Sequence, residues 1–166
     1  MENIRYLYSN DGHRKKPNFT KFFFQVRIMI RTVLKLKNGG EKQYATLPNG
    51  KKRYFHDLIS HQNEIICDST KMQDFQFSYN LLQVWFKDHV PSQTVMLDIF
   101  GKLVINQFGI SNESIEFVGI ALYLLSSVLD HSCAPNVQQI FKGKEMIVRA
   151  IENVDDFSDL RISYTR

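Results

Sequence analysis

Apolar positions change their period about two thirds of the way along the chain. From Pro17 to Lys37, Phe19, Phe23, Val26, Ile30, Val33 and Leu34 recur at helical spacing, while Lys21, Arg27, Arg31 and Lys35 mostly line the other face. Pro17 suits a first turn and Asn38-Gly39-Gly40 supplies a stop, so one helix is predicted over 17–37. Phe22-Phe23-Phe24 is wider than a single stripe and predicts burial on more than one side. Asp57 reads as the N-cap of a short helix. A third helix is predicted from about Met72 to Val90, ending before Pro91. A fourth follows from a Ser92 cap, with Val95, Met96, Ile99, Phe100, Leu103, Val104 and Phe108 in period until Gly109. Between these, 46–52 with Pro48-Asn49-Gly50 reads as a turn or surface loop, and the polar residues 1–16 as a loose lead.

After Gly109 the period shortens. Glu116 to Gly119 and the Leu124-rich segment are short and strand-like or irregular. Val137–Phe141 and Met146–Ile151 flank a turn around Lys142-Gly143-Lys144, a β-hairpin pattern, and Leu160 to Tyr164 alternates like one more strand. Helices first and short strands last predict an α+β fold.

Composition adds little to this and charge adds more. At 166 residues, with 43% apolar and 23% charged positions, the chain suits one ordinary globular domain. No run approaches the roughly 20 apolar residues of a membrane span, and Met1-Glu2-Asn3-Ile4-Arg5 does not read as a signal peptide, so no membrane association and an intracellular place are expected. The net charge of +4 is unevenly spread. Through residue 60, 13 lysines and arginines face 4 acids, a balance of +9; the remainder has 8 against 13, or −5. Lys15-Lys16 and Lys51-Lys52-Arg53 are short runs without interleaved aromatic platforms, so direct nucleic-acid binding is not expected. Cys67 and Cys133, far apart, make neither a zinc framework nor a disulfide scaffold.

The least ordinary stretch is Ser126-Ser127-Val128-Leu129-Asp130-His131-Ser132-Cys133-Ala134-Pro135-Asn136. An apolar lead-in delivers a polar, turn-forming cluster whose His, Ser and Cys satisfy no packing period. It resembles the Asn-His-Ser-Cys-x-Pro-Asn signature of SET-domain lysine methyltransferases. Its flanks, Gly119-Ile120-Ala121-Leu122-Tyr123 and Val148-Arg149-Ala150-Ile151, resemble the branch that joins SET to a MYND zinc finger. Leu103-Val104-Ile105-Asn106-Gln107-Phe108 is similar to that family's helix ending in Asn before an aromatic, and Leu160-Arg161-Ile162-Ser163-Tyr164 to its Glu-Leu-x-Ile-x-Tyr ending.

The resemblance implies a SET-type β-fold in which a knot-like crossing threads the terminal tyrosine past the Asn-His segment. Residues 17–110 would be a helical, insert-like region and 111–166 the core β region, truncated before a post-SET segment. It implies a protein-lysine N-methyltransferase that uses S-adenosylmethionine, a protein substrate carrying a target lysine (histone or non-histone), and residence in nucleus and cytoplasm. Asn106, Ser127, Leu129, Asp130 and His131 would contact the cofactor, and Tyr164 would line the lysine channel as the catalytic residue. Cys133 corresponds to a post-SET zinc ligand; without three partner cysteines no metal is expected.

Methyl transfer is an in-line displacement at a sulfonium carbon by a neutral amine, so alignment and electrostatic preorganisation matter more than acid–base machinery. A tyrosine hydroxyl can orient the amine, and its ring can face a methylated ammonium. Departures from the family pattern also carry implications. Asp130 replaces an Asn, keeping an acceptor and losing a donor. Val154 to Asp159 replaces a Gly-Glu-Glu turn. The glycine loop for the cofactor, the MYND finger and the Cys-x-Cys-x-x-Cys of the post-SET segment have no counterpart. An incomplete SET domain with weak or no S-adenosylmethionine binding is the resulting expectation, with a catalytically inactive, protein-binding SET fragment as the alternative.

Overall fold

The computed structural model describes residues 19–164; the expected loose lead over 1–16 lies outside them. Helix α1 (Phe19–Lys37) buries Val26, Met29, Ile30 and Val33 at i, i+3, i+4 and i+7, the spacing its sequence predicts. It stops at Asn38, whose backbone N–H reaches the carbonyls of Leu34 and Lys35 and whose Nδ2 donates to Leu34 at 2.8 Å. Gly40 then passes so close that a Cβ there would lie 2.5 Å from the Lys35 carbonyl. Strands β1 (Tyr44–Thr46) and β2 (Lys52–Tyr54) follow, paired Tyr44 to Tyr54 and Thr46 to Lys52. The predicted loop is thus the tip of a β-hairpin, with Gly50 at φ 79° in its turn.

Asp57 caps no α-helix. Its Oδ2 accepts the Tyr54 N–H at 2.7 Å, closing a 3₁₀ turn over Phe55–Asp57. Helix α2 (Gln62–Cys67) starts later, and α3 (Ser69–Phe86) is capped by Asp68, which accepts from the N–H groups of Thr70 and Lys71. A 3₁₀ turn over Lys87–His89 replaces the last turn expected of α3. Ser92 precedes α4 (Gln93–Asn106) as predicted but makes no side-chain cap bond. Gly109 does not end that helix; the helix closes at Asn106, and Gln107–Ser111 is strand β3, antiparallel to β4 (Phe117–Leu122).

Helices α1 to α4 enclose one core, in which Met29, Phe75, Leu82, Met96 and Leu103 are fully buried. A buried hydroxyl there, that of Ser78, donates to the Asp74 carbonyl one turn back at 2.7 Å. A second, smaller core joins Leu129, Val137 and Ile162, flanked by Phe108, Val148, Phe157 and Leu160. Around it lie the hairpin β6 (Val137–Lys142) and β7 (Glu145–Ala150), and a parallel pair, β5 (Asp130–His131) with β8 (Arg161–Ile162). The fold is α+β, as the pattern predicts, with every sheet among the described residues two-stranded.

Candidate active site

The second core sets the site's geometry. Leu129, 4% exposed, and Ile162, 1% exposed, pack together and bring β5 beside β8. Ser132 N–H donates to the Ile162 carbonyl at 2.9 Å, and Asn136 N–H to the Arg161 carbonyl at 3.2 Å. Asn136 also clamps the approach to β8 with both ends of its amide: Oδ1 accepts the Arg161 N–H at 2.7 Å and Nδ2 donates to the Asp159 carbonyl at 2.8 Å. An Asn is suited to this because one planar group supplies a donor and an acceptor. Two-residue strands have too few ladder bonds to hold by themselves, so this clamp carries much of the pairing.

The pairing delivers Tyr164 to His131. The Tyr164 N–H donates to His131 Nδ1 at 3.1 Å, the rings lie 5.2 Å apart, and the Tyr164 hydroxyl donates to the Leu129 carbonyl at 2.7 Å. A neutral imidazole that accepts at Nδ1 carries its proton on Nε2, which sits 3.4 Å from the Cys133 sulfur. Both ring nitrogens of His131 are thereby engaged, which suits positioning more than proton transfer. Burial first, and then the Asp130 carboxylate, push the Tyr164 phenol above its ordinary range. The phenol is therefore a neutral hydroxyl at physiological pH, and after donating to Leu129 its oxygen still has lone pairs for an incoming N–H.

The other expected site residues are placed differently. Ser127 lies in a 3₁₀ turn over Ser126–Val128, where its hydroxyl donates to the Leu124 carbonyl and accepts from Arg53 Nε at 2.9 Å. Asn106 ends α4, its Nδ2 donating to the carbonyls of Lys102 (2.8 Å) and Ile59 (3.2 Å). Asp130 is exposed, and its carboxylate has no hydrogen-bond partner among the described residues. It lines an open groove of about 470 Å³ with Val128, Leu47, Asn49, Ser158 and Leu160. So the structure brings Leu129, Asp130, His131 and Tyr164 together, while Ser127 and Asn106 are tied into neighbouring elements. Among the described residues no three His, Cys, Asp or Glu side chains stand where they could share a metal ion, and no helix is long and apolar enough to cross a membrane.

Two contributors escape the sequence reading. Asn136 belongs to the signature stretch but its clamp on residues 159–161 shows only in three dimensions. Arg53, 74 positions from Ser127, belongs to a basic run that gives no sign of this contact.

No family model matches the chain. It is 28% identical over 144 residues to histone-lysine N-methyltransferase SMYD3 of Homo sapiens, a match covering 84% of this chain and 32% of that one. It is 27% identical over 139 residues to histone-lysine N-methyltransferase ASHR1 of Arabidopsis thaliana (84% and 28% covered), and 25% over 141 residues to N-lysine methyltransferase SMYD2-A of Danio rerio (84% and 31%). These matches support the resemblance to the SET and MYND methyltransferases, over their SET portion. It spans about a third of the length of these relatives.

S-adenosylmethionine, the methyl donor that this family implies, fits the described residues in part. Asp130 offers a free carboxylate suited to the donor's ammonium, beside a groove of the size small ligands occupy. Of the five residues expected to contact the donor, however, only Asp130 lines that groove. The Ser127 hydroxyl and Asn106 Nδ2 already hold protein carbonyls, and the Leu129 carbonyl already holds Tyr164. The five therefore do not line that groove together.

Proposed function

We propose that this chain carries the Asp-His and tyrosine strands of a protein-lysine N-methyltransferase that takes its methyl group from S-adenosylmethionine. The observation that carries this is the parallel pairing of β5 with β8, which sets Tyr164 against His131 across 33 residues of sequence. The proposed division of labour follows from the bonds already described. The Leu129 carbonyl fixes the Tyr164 hydroxyl, whose oxygen accepts an N–H of the substrate amine and orients the nitrogen lone pair. His131 holds the Tyr164 backbone in place. Asp130 receives the donor's ammonium, and the sulfonium supplies the methyl group. The substrate is a lysine side chain of a protein; SMYD3 and ASHR1, as histone-lysine methyltransferases, make a histone one candidate. Nucleus and cytoplasm are the compartments proposed.

Held mainly by Asp130 and its neighbours, the donor would lose much of the buried area and preorganisation that tight sites supply. We therefore expect a dissociation constant no tighter than about 1 mM, about 4 kcal/mol, and no measurable lysine methylation by the 166-residue chain alone. Amide NMR spectra recorded with increasing S-adenosylmethionine should shift at 127–131 and 163–164, and Asp130→Ala should abolish those shifts. Micromolar binding would overturn that expectation and favour an active enzyme. Absence of any shift at these amides would favour the second reading, an inactive SET-derived module that binds proteins, for which the lack of one shared pocket is the motivating observation.

A further inference from the structure

We propose that the outward face of the β1–β2 hairpin, continued by the basic stripe of α1, binds single-stranded nucleic acid. The register decides which face is outward. Tyr44 pairs with Tyr54 and Thr46 with Lys52, so these four share one side of the ribbon, while Arg53 lies on the other and is held to Ser127 of the domain. On the outward side three rings stand in a row. Tyr44 and Tyr54 are 5.5 Å apart, and Tyr54 and His56 stack at 5.0 Å with planes 12° apart. Lys52 Nζ lies 4.2 Å above the Tyr44 ring, and Lys51 beside it is exposed. The linear run Lys51-Lys52-Arg53 gives little sign of this, because Tyr44 reaches it only through strand pairing.

The hairpin stands at the end of a second feature. Arg27, Arg31 and Lys35 recur every four residues along α1, about 6 Å apart in rise, and all three are exposed. They line two grooves against β4, of about 330 and 370 Å³, which share Ile28 and Arg31. Gln43 and Phe55, the sequence neighbours of Tyr44 and Tyr54, line the second groove. No Asp or Glu lines either groove, and none of Arg27, Arg31, Lys35, Lys51 and Lys52 forms an ion pair with a described residue.

Unpaired cations at regular spacing complement a polyanion, and a row of rings, exposed at Tyr44 and His56 and half-buried at Tyr54, complements unpaired bases. An acidic peptide would answer the cations and leave the rings without partners. A duplex keeps its bases stacked on one another and unavailable to the rings. Acids also set the path: Asp130 and Asp156 border the hairpin tip at Leu47 and Asn49, so the strand runs from the ring face toward α1 and away from the tip. This inference does not rest on the methyl-transfer reading.

The test is fluorescence anisotropy of the 166-residue chain with labelled oligouridylate and oligothymidylate, each about 12 nucleotides long, within the site sizes of such platforms. Both should bind at low salt. Tyr44→Ala with His56→Ala, two exposed positions, should weaken binding by about ten-fold or more. Arg27→Gln with Arg31→Gln should reduce the slope of log affinity against log salt by about 1.4. Lys51→Ala with Lys52→Ala serves as a second variant set, and melting curves confirm that each variant folds. No binding at low salt, equal competition by duplex DNA or polyglutamate, or a folded ring variant that binds like the parent would each overturn the proposal.

Discussion

Replacing Asn136 by Ala removes two bonds to the segment that carries Tyr164, to the Asp159 carbonyl and from the Arg161 N–H. At about 1 kcal/mol for each bond, the expected loss is about 2 kcal/mol, read as a lower urea midpoint. The nuclear Overhauser contacts between Tyr164 and His131 should weaken further than global stability alone requires. Asp130 acts on Tyr164 through charge. Burial is the larger cause of the raised phenol pKa and the Asp130 carboxylate the smaller. Asp130→Asn should therefore move the tyrosinate transition of Tyr164 downward while leaving it above the ordinary value of about 10. A ¹³C-tyrosine NMR titration reads this directly, and an unchanged transition would remove Asp130 from the site's electrostatics. The sign for stability is fixed as well: a phenol whose folded pKa is raised stabilises the fold below about pH 10, and that contribution is lost as pH rises through the folded value.

Among the elements, α4 is the most constrained, because Gly101 packs against chain outside the helix. A Cβ there would lie 2.3 Å from the Ser60 carbonyl oxygen. Gly101→Ala should destabilise by about 1–2 kcal/mol by thermal melting, overpacking outweighing the better helix propensity of Ala. The helices α1 and α4 were legible from their helical period, α3 only as an apolar stretch ending before Pro91, and β6–β7 from two short runs on either side of a turn at Gly143, whose φ is 59°. Their ends were less legible. Asp57 and Asp68 are equally good cap residues in one dimension, and only the N–H groups of Thr70 and Lys71 select Asp68. Gly109 looks like a helix stop because Phe108 keeps the apolar period, yet Phe108 serves the second core from a strand. Strands of three residues, as in β1 and β2, are too short to alternate visibly, so the hairpin reads only as its turn. In the site, the nearness of His131 to Tyr164 was legible through family resemblance, whereas the tether from Arg53 to Ser127 joins two stretches that share no pattern.

At the scale of the whole molecule the two cores are built from sequence in different ways. Every buried residue of the larger core lies between Val26 and Leu103, in helices that follow one another along the chain. The smaller core gathers Leu129, Val137 and Ile162, and the strand pair above it joins Asp130 to Arg161. Domains form from the amino terminus as synthesis proceeds, so these cores have different birthdays. A ribosome has released every helix of the first before it adds the residues that close the second. Leu129 and Val137 lack this core partner until Ile162 arrives. The place where Tyr164 meets His131 is thus missing from every nascent chain, however well its first hundred residues have folded, until nearly all of this sequence has emerged.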